Sequence, residues 1–486
     1  MAVDGSILST NLTLPPAAKD IHATPLAMHG CSATADQLAQ TLNRAKCDMA
    51  VLTGGWFGAT IVAAVPLIEI QLRAEADGCA LHVCEIGRPD CRTEEHHLSY
   101  GDGIRRLCDW MEFTAGKLPS LPEGAEWIGY FSYEAGRGIE LPPHHRTDIL
   151  ASFRYYQQYY ISPEPGRWLL AATSIGQVPD NRLIDDMKAR LMEAEREPLR
   201  PRIILRQVSA PQKDEYISAL LKVLDYIAAG DIYQLNLSRR WLGEAADPLA
   251  LWQDMYAANP GRYSAYIRTG PQAICCTSPE LFLNRNGDEL ITCPIKGTRR
   301  RNVKDHDLDR QAAESLMQSE KEQAELAMIT DLLRNDLGRV CATGSVKIVD
   351  PRRIEALPSV WQTYAVIRGT ALHPWGDILA GMLPGGSITG VPKIRAMEII
   401  SELEPGARGI YCGNIGWIGC GRGSFNIAIR TAVWESGRFC YGAGAGIVAD
   451  SDPEMEFAEI CAKARAVTDI SHDANSTSLI GEVRSR

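Results

Sequence analysis

Lys296 stands in the stretch TCPIKGTRRR, after Pro294 and Ile295 at what reads as the end of an apolar strand, and just before three arginines. A lysine that needed only solvent could sit anywhere in the arginine run. At a buried strand end its amine must either meet a carboxylate or be held partly uncharged, the form in which it is a nucleophile. Carboxylates occur at suggestive spacings further on. In SEKEQAELAMITDLLRNDLGRV, Ser319 followed by Glu322 reads as the capping box of a helix, and Glu325 shares a face of it with Met328, Ile329 and Leu332. An acid on an apolar face needs a partner, which could be an arginine or a metal ion. In GAGAGIVADSDPEMEFAEICAKARA, Asp452 and Pro453 specify a helix start, Glu456 and Glu459 lie one turn apart, and Lys463 follows Glu459 by four. Taken alone, that is an exposed ion pair worth roughly a few tenths of a kcal/mol.

Three further stretches could wall a site. Gly442, Gly444 and Gly446 alternate through an apolar strand, where glycine weakens a sheet unless something approaches the backbone closely. Amides exposed in that way can hold a carboxylate. A dinucleotide fingerprint fits poorly, because the next helix begins only after IVADSD. In LPGGSITGVPKIRAMEII a loop from Pro384 to Gly390 feeds a helix with Pro392 in its first turn. Such a helix start suits an anion, and the reading as a plain connector stays equally open. RGIYCGNIGWIGCGRGSFNIAIRTAV reads as two strands joined by a glycine-rich turn, with Arg430 alternating with Ile427 and Ile429 along the second strand. A guanidinium inside a sheet requires an anionic partner, from the protein or from a ligand. Cys420 precedes a strand, not a helix, so it reads as a hairpin residue and not as a nucleophile elbow.

The elements that must position these groups fall into two regions and a tail. Residues 1–205 mix short strands and helices: WIGYFSYEAGRGIE starts as a strand and breaks at glycine, RWLLAATS is another strand, and DNRLIDDMKARLMEAEREPLRP is a helix stopped by proline. Residues 210–470 open with an amphipathic helix in APQKDEYISALLKVLDYIAAGDIYQLNL and continue as short strands interleaved with helices, whereas 471–486 lack a pattern and read as a flexible tail. Strand and helix do not alternate regularly, so the expectation is an α+β fold and not a doubly wound sheet. The chain has 486 residues, 45% hydrophobic and 23% charged, which suits two or three ordinary domains or one large one. A net charge of −10 speaks against a nucleic-acid surface. No apolar run reaches the length of a membrane span, and the first residues lack a basic segment followed by a hydrophobic one, so the expected location is the cytoplasm. The fourteen cysteines include several in apolar strands and read as reduced core residues, with no C-x-x-C and no metal-spaced Cys/His set.

AAGDIYQLNLSRR, TSPELFL, PIKGTRRR, AELAMITDLLRNDLGRV, PGGSITGVPKIRAMEII, GIYCGNIGWI, FNIAIRT and GAGAGIVADSDPEMEFAEICAKARA occur in the order found in chorismate-utilising enzymes. The chain thus resembles the anthranilate synthase component I family over about 210–470, and more loosely at GYFSYE in the first region. The resemblance implies that family's fold: large β-sheets in a sandwich flanked by helices, with the N- and C-terminal regions packed together. The PIKGT lysine, where anthranilate synthases usually show alanine, and YQLNL with Asn236 are similar to the aminodeoxychorismate synthase branch, which makes 4-amino-4-deoxychorismate for 4-aminobenzoate and folate biosynthesis. By that resemblance Lys296 attacks C2 of chorismate and Glu280 protonates the departing C4 hydroxyl. Glu325 and Glu459, with Glu456 in or near the shell, hold a Mg²⁺ on the ring carboxylate, and Lys463 lies nearby. The enolpyruvyl carboxylate meets Tyr411, Arg430 and the amides of Gly444 and Gly446, while Gly297 and Thr298 line the ring. Ammonia is expected from a separate glutamine amidotransferase subunit. Gln362 and Ala365 depart from the family pattern, standing where relatives carry a histidine and a serine. Glutamine cannot shuttle a proton at neutral pH. The alternatives are an anthranilate synthase and a non-catalytic chorismate-binding module.

Overall fold

The computed structural model describes residues 21–29, 31–56, 59–86, 91–115, 126–141, 147–175, 179–198, 205–357 and 360–471. The tail expected from 471 onward lies outside the described residues apart from Ser471, as do the turn clusters at 87–90 and 120–124. Within them the architecture is α+β: 22 strands joined in one hydrogen-bonded network in which every registered pairing is antiparallel, with helices packed on it.

Strand pairing ignores the boundary between the two regions. The Met49–Gly54 strand of the first pairs with Tyr263–Thr269 of the second, and Trp127–Phe131 pairs with Asn414–Gly419. The buried apolar side chains mix in the same way. One core joins Leu38, Val51 and Trp168 to Leu235, Trp241 and Tyr441; a second joins Trp127 and Phe153 to Trp375 and Phe425; a third joins Ile61 and Tyr156 to Tyr263 and Trp417. Burial of this kind is the main force available to hold two regions as one body.

Local signals place the helices that matter to the site. Ser319 caps the Glu320–Gly338 helix, its hydroxyl accepting from the Glu322 amide, and Asp452 caps Pro453–Lys463 by accepting from Met455. The helix expected in DNRLIDDMKARLMEAEREPLRP runs over Asn181–Ala194, ending ahead of Pro198. Two expectations need correction. WIGYFSYEAGRGIE does not break at its glycine: after the Trp127–Phe131 strand, Ser132 caps a helix over Tyr133–Glu140 with Gly136 inside it. The strand through FNIAIRT is interrupted: Arg422–Asn426 ends before Ile427, and pairing resumes only at Thr431. Among the described residues twelve cysteines are free, most of them buried. Cys84 departs from the expectation of reduced thiols, being disulfide-bonded.

Candidate active site

The centre of the site is a glycine-bearing strand, Arg438–Ile447, paired along one edge with Gln234–Glu244. Asn236 and Ser238, which stand opposite Gly446 and Gly444, send their own amides the other way, to Thr389 O at 2.8 Å and Glu404 Oε1 at 2.8 Å. Both are therefore non-hydrogen-bonded pairs, and the amides of Gly444 and Gly446 point away from Gln234–Glu244. Lys463 Nζ bonds the Gly444 carbonyl at 2.8 Å, as an outward-facing carbonyl allows. On the outward side the Thr431–Glu435 strand pairs with the glycine strand only as far as Tyr441. Arg430 explains why it stops there: its φ of 50° is left-handed, and the turn it makes carries the chain away just where Gly442 to Gly446 begin. The interruption in FNIAIRT is thus what bares the amides.

The faces of the three glycines are occupied as well. A Cβ at 442 would lie 2.4 Å from the Tyr411 ring, and one at 444 would lie 3.2 Å from Asn236 Oδ1. At 446 it would meet Gln234 Nε2 at 2.8 Å and Lys296 Nζ at 3.4 Å. Close approach was the reason expected for these glycines, and side chains of the protein supply much of it.

Lys296 lies in the Ile295–Arg300 strand, its amine over Gly446 and 3.8 Å from Glu325 Oε2. The expected burial needs correction: Lys296 is half-buried, its side chain 20% exposed, on a strand none of whose residues is fully buried, and a carboxylate partner is what it meets there. Its carbonyl accepts from the Thr363 hydroxyl, which pins the backbone. Gly297 follows at φ +83°, a conformation that favours glycine, and a Cβ there would also crowd Glu322 and Leu316. Thr298 is exposed, in register with buried Gln362. Glu280 is 6% exposed and is pushed up to about 7 by burial, against the pull of a hydrogen bond from Ser387 and the charges of Lys296 and Lys463. A carboxyl in that range can hold a proton and give it up near neutrality.

Burial also raises Glu325, offset by Lys296, and raises Glu456, offset by the Ser451 hydroxyl that donates to it at 2.7 Å. Glu459 and Lys463 form an exposed pair at 2.7 Å, as the spacing alone suggested; partial desolvation would raise Glu459, but Lys463 and the charges of Lys296 and Lys321 outweigh that and leave it lowered. Glu325 and Glu459 feel each other's charge. Among the described residues no three His, Cys, Asp or Glu are gathered as a ready-made metal cage. The donor set is nonetheless hard oxygen, and Mg²⁺ is commonly held by one or two carboxylates plus water and substrate.

Burial lowers the Arg430 guanidinium, and among the described residues no acid is paired with it. Tyr411 is buried and raised well above the usual phenol range by that burial. The structure therefore draws Lys296, Glu280, Glu325, Glu459, Lys463, Gly444 and Gly446 into one neighbourhood, with Tyr411 and Arg430 along the same strand. Thr298 and Glu456 stand at its margin.

Two contributors escaped the sequence reading. Gln234 is 2% exposed, and its amide oxygen is buried without a hydrogen-bond partner among the described residues. It is an acceptor waiting for a donor. The signal was there in YQLNL, whose polar residues alternate with two buried leucines. Ser387, in the loop read as a possible anion wall, instead holds the acid Glu280.

Residues 89–469 match the family model described as chorismate binding enzyme. Aminodeoxychorismate synthase component 1 of Bacillus subtilis is 35% identical over 399 residues, covering 77% of this chain and 83% of that protein. Anthranilate synthase component 1 of Thermus thermophilus is 42% identical over 386 residues, covering 75% and 82%. Among solved structures, anthranilate synthase component I from Streptococcus pneumoniae superposes with a TM-score of 0.67 at 25% identity, over 85% of this chain and 92% of that one. The isochorismate synthase MenF of Escherichia coli gives 0.69 at 18% identity over 94% and 96%, a likeness of fold alone. With most of its length matched and relatives above the 30% level over three quarters of it, this chain belongs to the chorismate binding enzyme family.

Proposed function

We propose that the chain aminates chorismate at C4 as an aminodeoxychorismate synthase component I, using ammonia delivered by a glutamine amidotransferase subunit. The observation that carries this reading is the Lys296 amine, seated over Gly446 within reach of the charge on Glu280. In the proposed reaction the neutral Lys296 Nζ bonds to C2, both ring double bonds shift, and the C4–O bond breaks as Glu280 gives its proton to the departing hydroxyl, which leaves as water. Ammonia then bonds to C4, both double bonds return, the C2–N bond breaks to free the lysine as its neutral amine, and the new C4 ammonium returns a proton to Glu280. The net change is chorismate plus ammonia to 4-amino-4-deoxychorismate plus water, with the enolpyruvyl ether intact. Arg430 and the amides of Gly444 and Gly446 would take the enolpyruvyl carboxylate beside Tyr411. Glu325 and Glu459, with Glu456 in support, would hold Mg²⁺. When bound, it would offset the charge of the ring carboxylate.

A second reading, anthranilate synthase, is favoured by the 42% identity to the Thermus thermophilus protein. Against it stand the lysine itself and Gln362, which has no proton to relay in an elimination of pyruvate. Incubation with chorismate, Mg²⁺ and ammonium, followed by chromatography with mass detection, separates the two. The expected product is 4-amino-4-deoxychorismate; a fluorescent anthranilate signal formed without an added lyase would replace this reading with the other.

A further inference from the structure

The Gln234–Glu244 strand has an incomplete outer edge. Gly390–Val391 pairs with it at Gln234 and Leu235, and Arg206–Ser209 rejoins at Leu242 and Glu244, leaving the stretch between without a strand on that side among the described residues. A buried gap in a ladder leaves amides and carbonyls that must be satisfied. Here an ion pair fills it. Glu404 Oε1 accepts from the Ser238 amide at 2.8 Å and its hydroxyl at 2.9 Å. Arg408 Nη2 donates to the Asn236 carbonyl at 2.7 Å, and Nη1 to the Ile388 carbonyl at 2.7 Å. The two side chains are joined at 2.7 and 2.9 Å and are only 5% and 2% exposed.

We propose that Glu404 and Arg408 are positioning residues, a side-chain substitute for the missing strand that sets the site from behind. The proposal rests on the functional reading given above. Two lines run from the pair to reacting groups. Through Asn236 and Ser238 it fixes the strand whose register opposes Gly446 and Gly444, and which carries Gln234. Through Ile388 it fixes the residue next to Ser387, the hydrogen-bond partner of Glu280. A third line reaches the first region. Glu134 accepts from the amides of Arg408 and Gly409 at 2.6 and 2.9 Å, and the Arg408 guanidinium lies 4.8 Å from the centre of the Tyr133 ring. The Tyr133–Glu140 helix therefore clasps the segment that leads, three residues on, to Tyr411. The first region thereby takes a hand in the geometry of the carboxylate cradle.

The test uses the full chain with chorismate, Mg²⁺ and ammonium, read as chorismate consumed. Glu404→Gln keeps an acceptor for Ser238 while removing the charge, and Arg408→Lys keeps the charge while losing the fork. Each is expected to raise KM for chorismate and lower kcat by about tenfold, the scale at which slightly misplaced groups cost rate. A purely structural pair would lower the melting midpoint and leave both constants at parental values when measured well below it, which would overturn the proposal. Because a half-broken buried pair can prevent folding, the double variant Glu404→Leu with Arg408→Met supplies the decisive arm. The double replacement leaves neither charge buried and unpaired, and the Ser238 amide and Asn236 carbonyl that it releases are the contacts under test. A folded double variant with raised KM and reduced kcat supports positioning, and one with parental kinetics overturns it. Formation of anthranilate by the parent would instead overturn the functional reading, and the response of the variants' chorismate consumption would still report on the pair.

Discussion

Two arginines, one in each region, show how differently this molecule treats charge. Arg154 of the first region donates to Glu69 at 3.0 Å and Asp48 at 2.9 Å, and Glu69 is further held by Ser152 at 2.8 Å. Every charge there has a partner inside the chain. Arg430 of the second region is half-buried and partly desolvated, with no acid paired to it among the described residues, beside an open row of amides. Burying a charge is costly unless it is paired. The closed set therefore serves the fold, and the open set is balanced only when an anion arrives.

The sharpest way to break this contrast is at the nucleophile. Lys296→Ala should lower ammonium-dependent formation of 4-amino-4-deoxychorismate by about 10³-fold or more, as loss of a covalent catalyst does. Retained turnover would remove the covalent role. Intact mass spectrometry of the parent quenched with chorismate but no ammonia should show the adduct directly.

The arginines come next. Arg430→Ala should raise KM for chorismate about 100-fold through loss of a charge-assisted contact, without lowering the melting midpoint. Arg154→Ala should do the reverse, costing about 3–5 kcal/mol in urea unfolding by stranding two acids, with KM unchanged. Equal behaviour of the two would erase the distinction.

Acidity separates the regions once more. Glu280, at about 7, must carry its proton to act, so kcat at fixed free ammonia should fall as pH rises through about 7, and Glu280→Gln should be slow and lose that limb. Glu126 of the first region is pushed up to about 8 by burial alone. It keeps its proton in the folded chain while the unfolded chain releases it near 4.5, so its contribution to stability is full below about 4.5 and is lost as pH climbs to about 8. Glu126→Gln should flatten that part of the stability profile and leave the kcat profile alone. The smallest expected effect is that of Ser451→Ala, which frees Glu456 from one hydrogen bond and should weaken the dependence on Mg²⁺ about tenfold or less.

Much of the site was legible because it rests on local rules. Ser319 and Asp452 announce their helices, helical spacing puts Glu325 on an apolar face, and the glycine alternation marks a strand that something approaches. The roles expected of Glu280, Glu459 and Tyr411 come from the family motifs and not from local rules. What stayed hidden depends on distant partners. Nothing in FNIAIRT gives away a left-handed turn at Arg430, because the turn is stabilised by neighbours remote in the chain, including the Thr277 amide bonded to the Arg430 carbonyl. Gln234 and Ser387 read as ordinary polar residues until folding sets one over Gly446 and the other against Glu280. Gly136 misled because a glycine inside a short helix weakens the helix signal, whereas here the lack of a side chain lets Leu383 and Pro384 pack closely against it.

The ladders that cross from one region to the other also govern how the chain can be cut. Deleting the first 200 residues would strip the neighbours from Tyr263–Thr269 and Asn414–Gly419, leaving raw β-edges that invite aggregation. The amino-terminal part is accordingly no detachable regulatory appendage, and a catalytic fragment made without it should be recovered in inclusion bodies. Two halves synthesised together should purify as one particle.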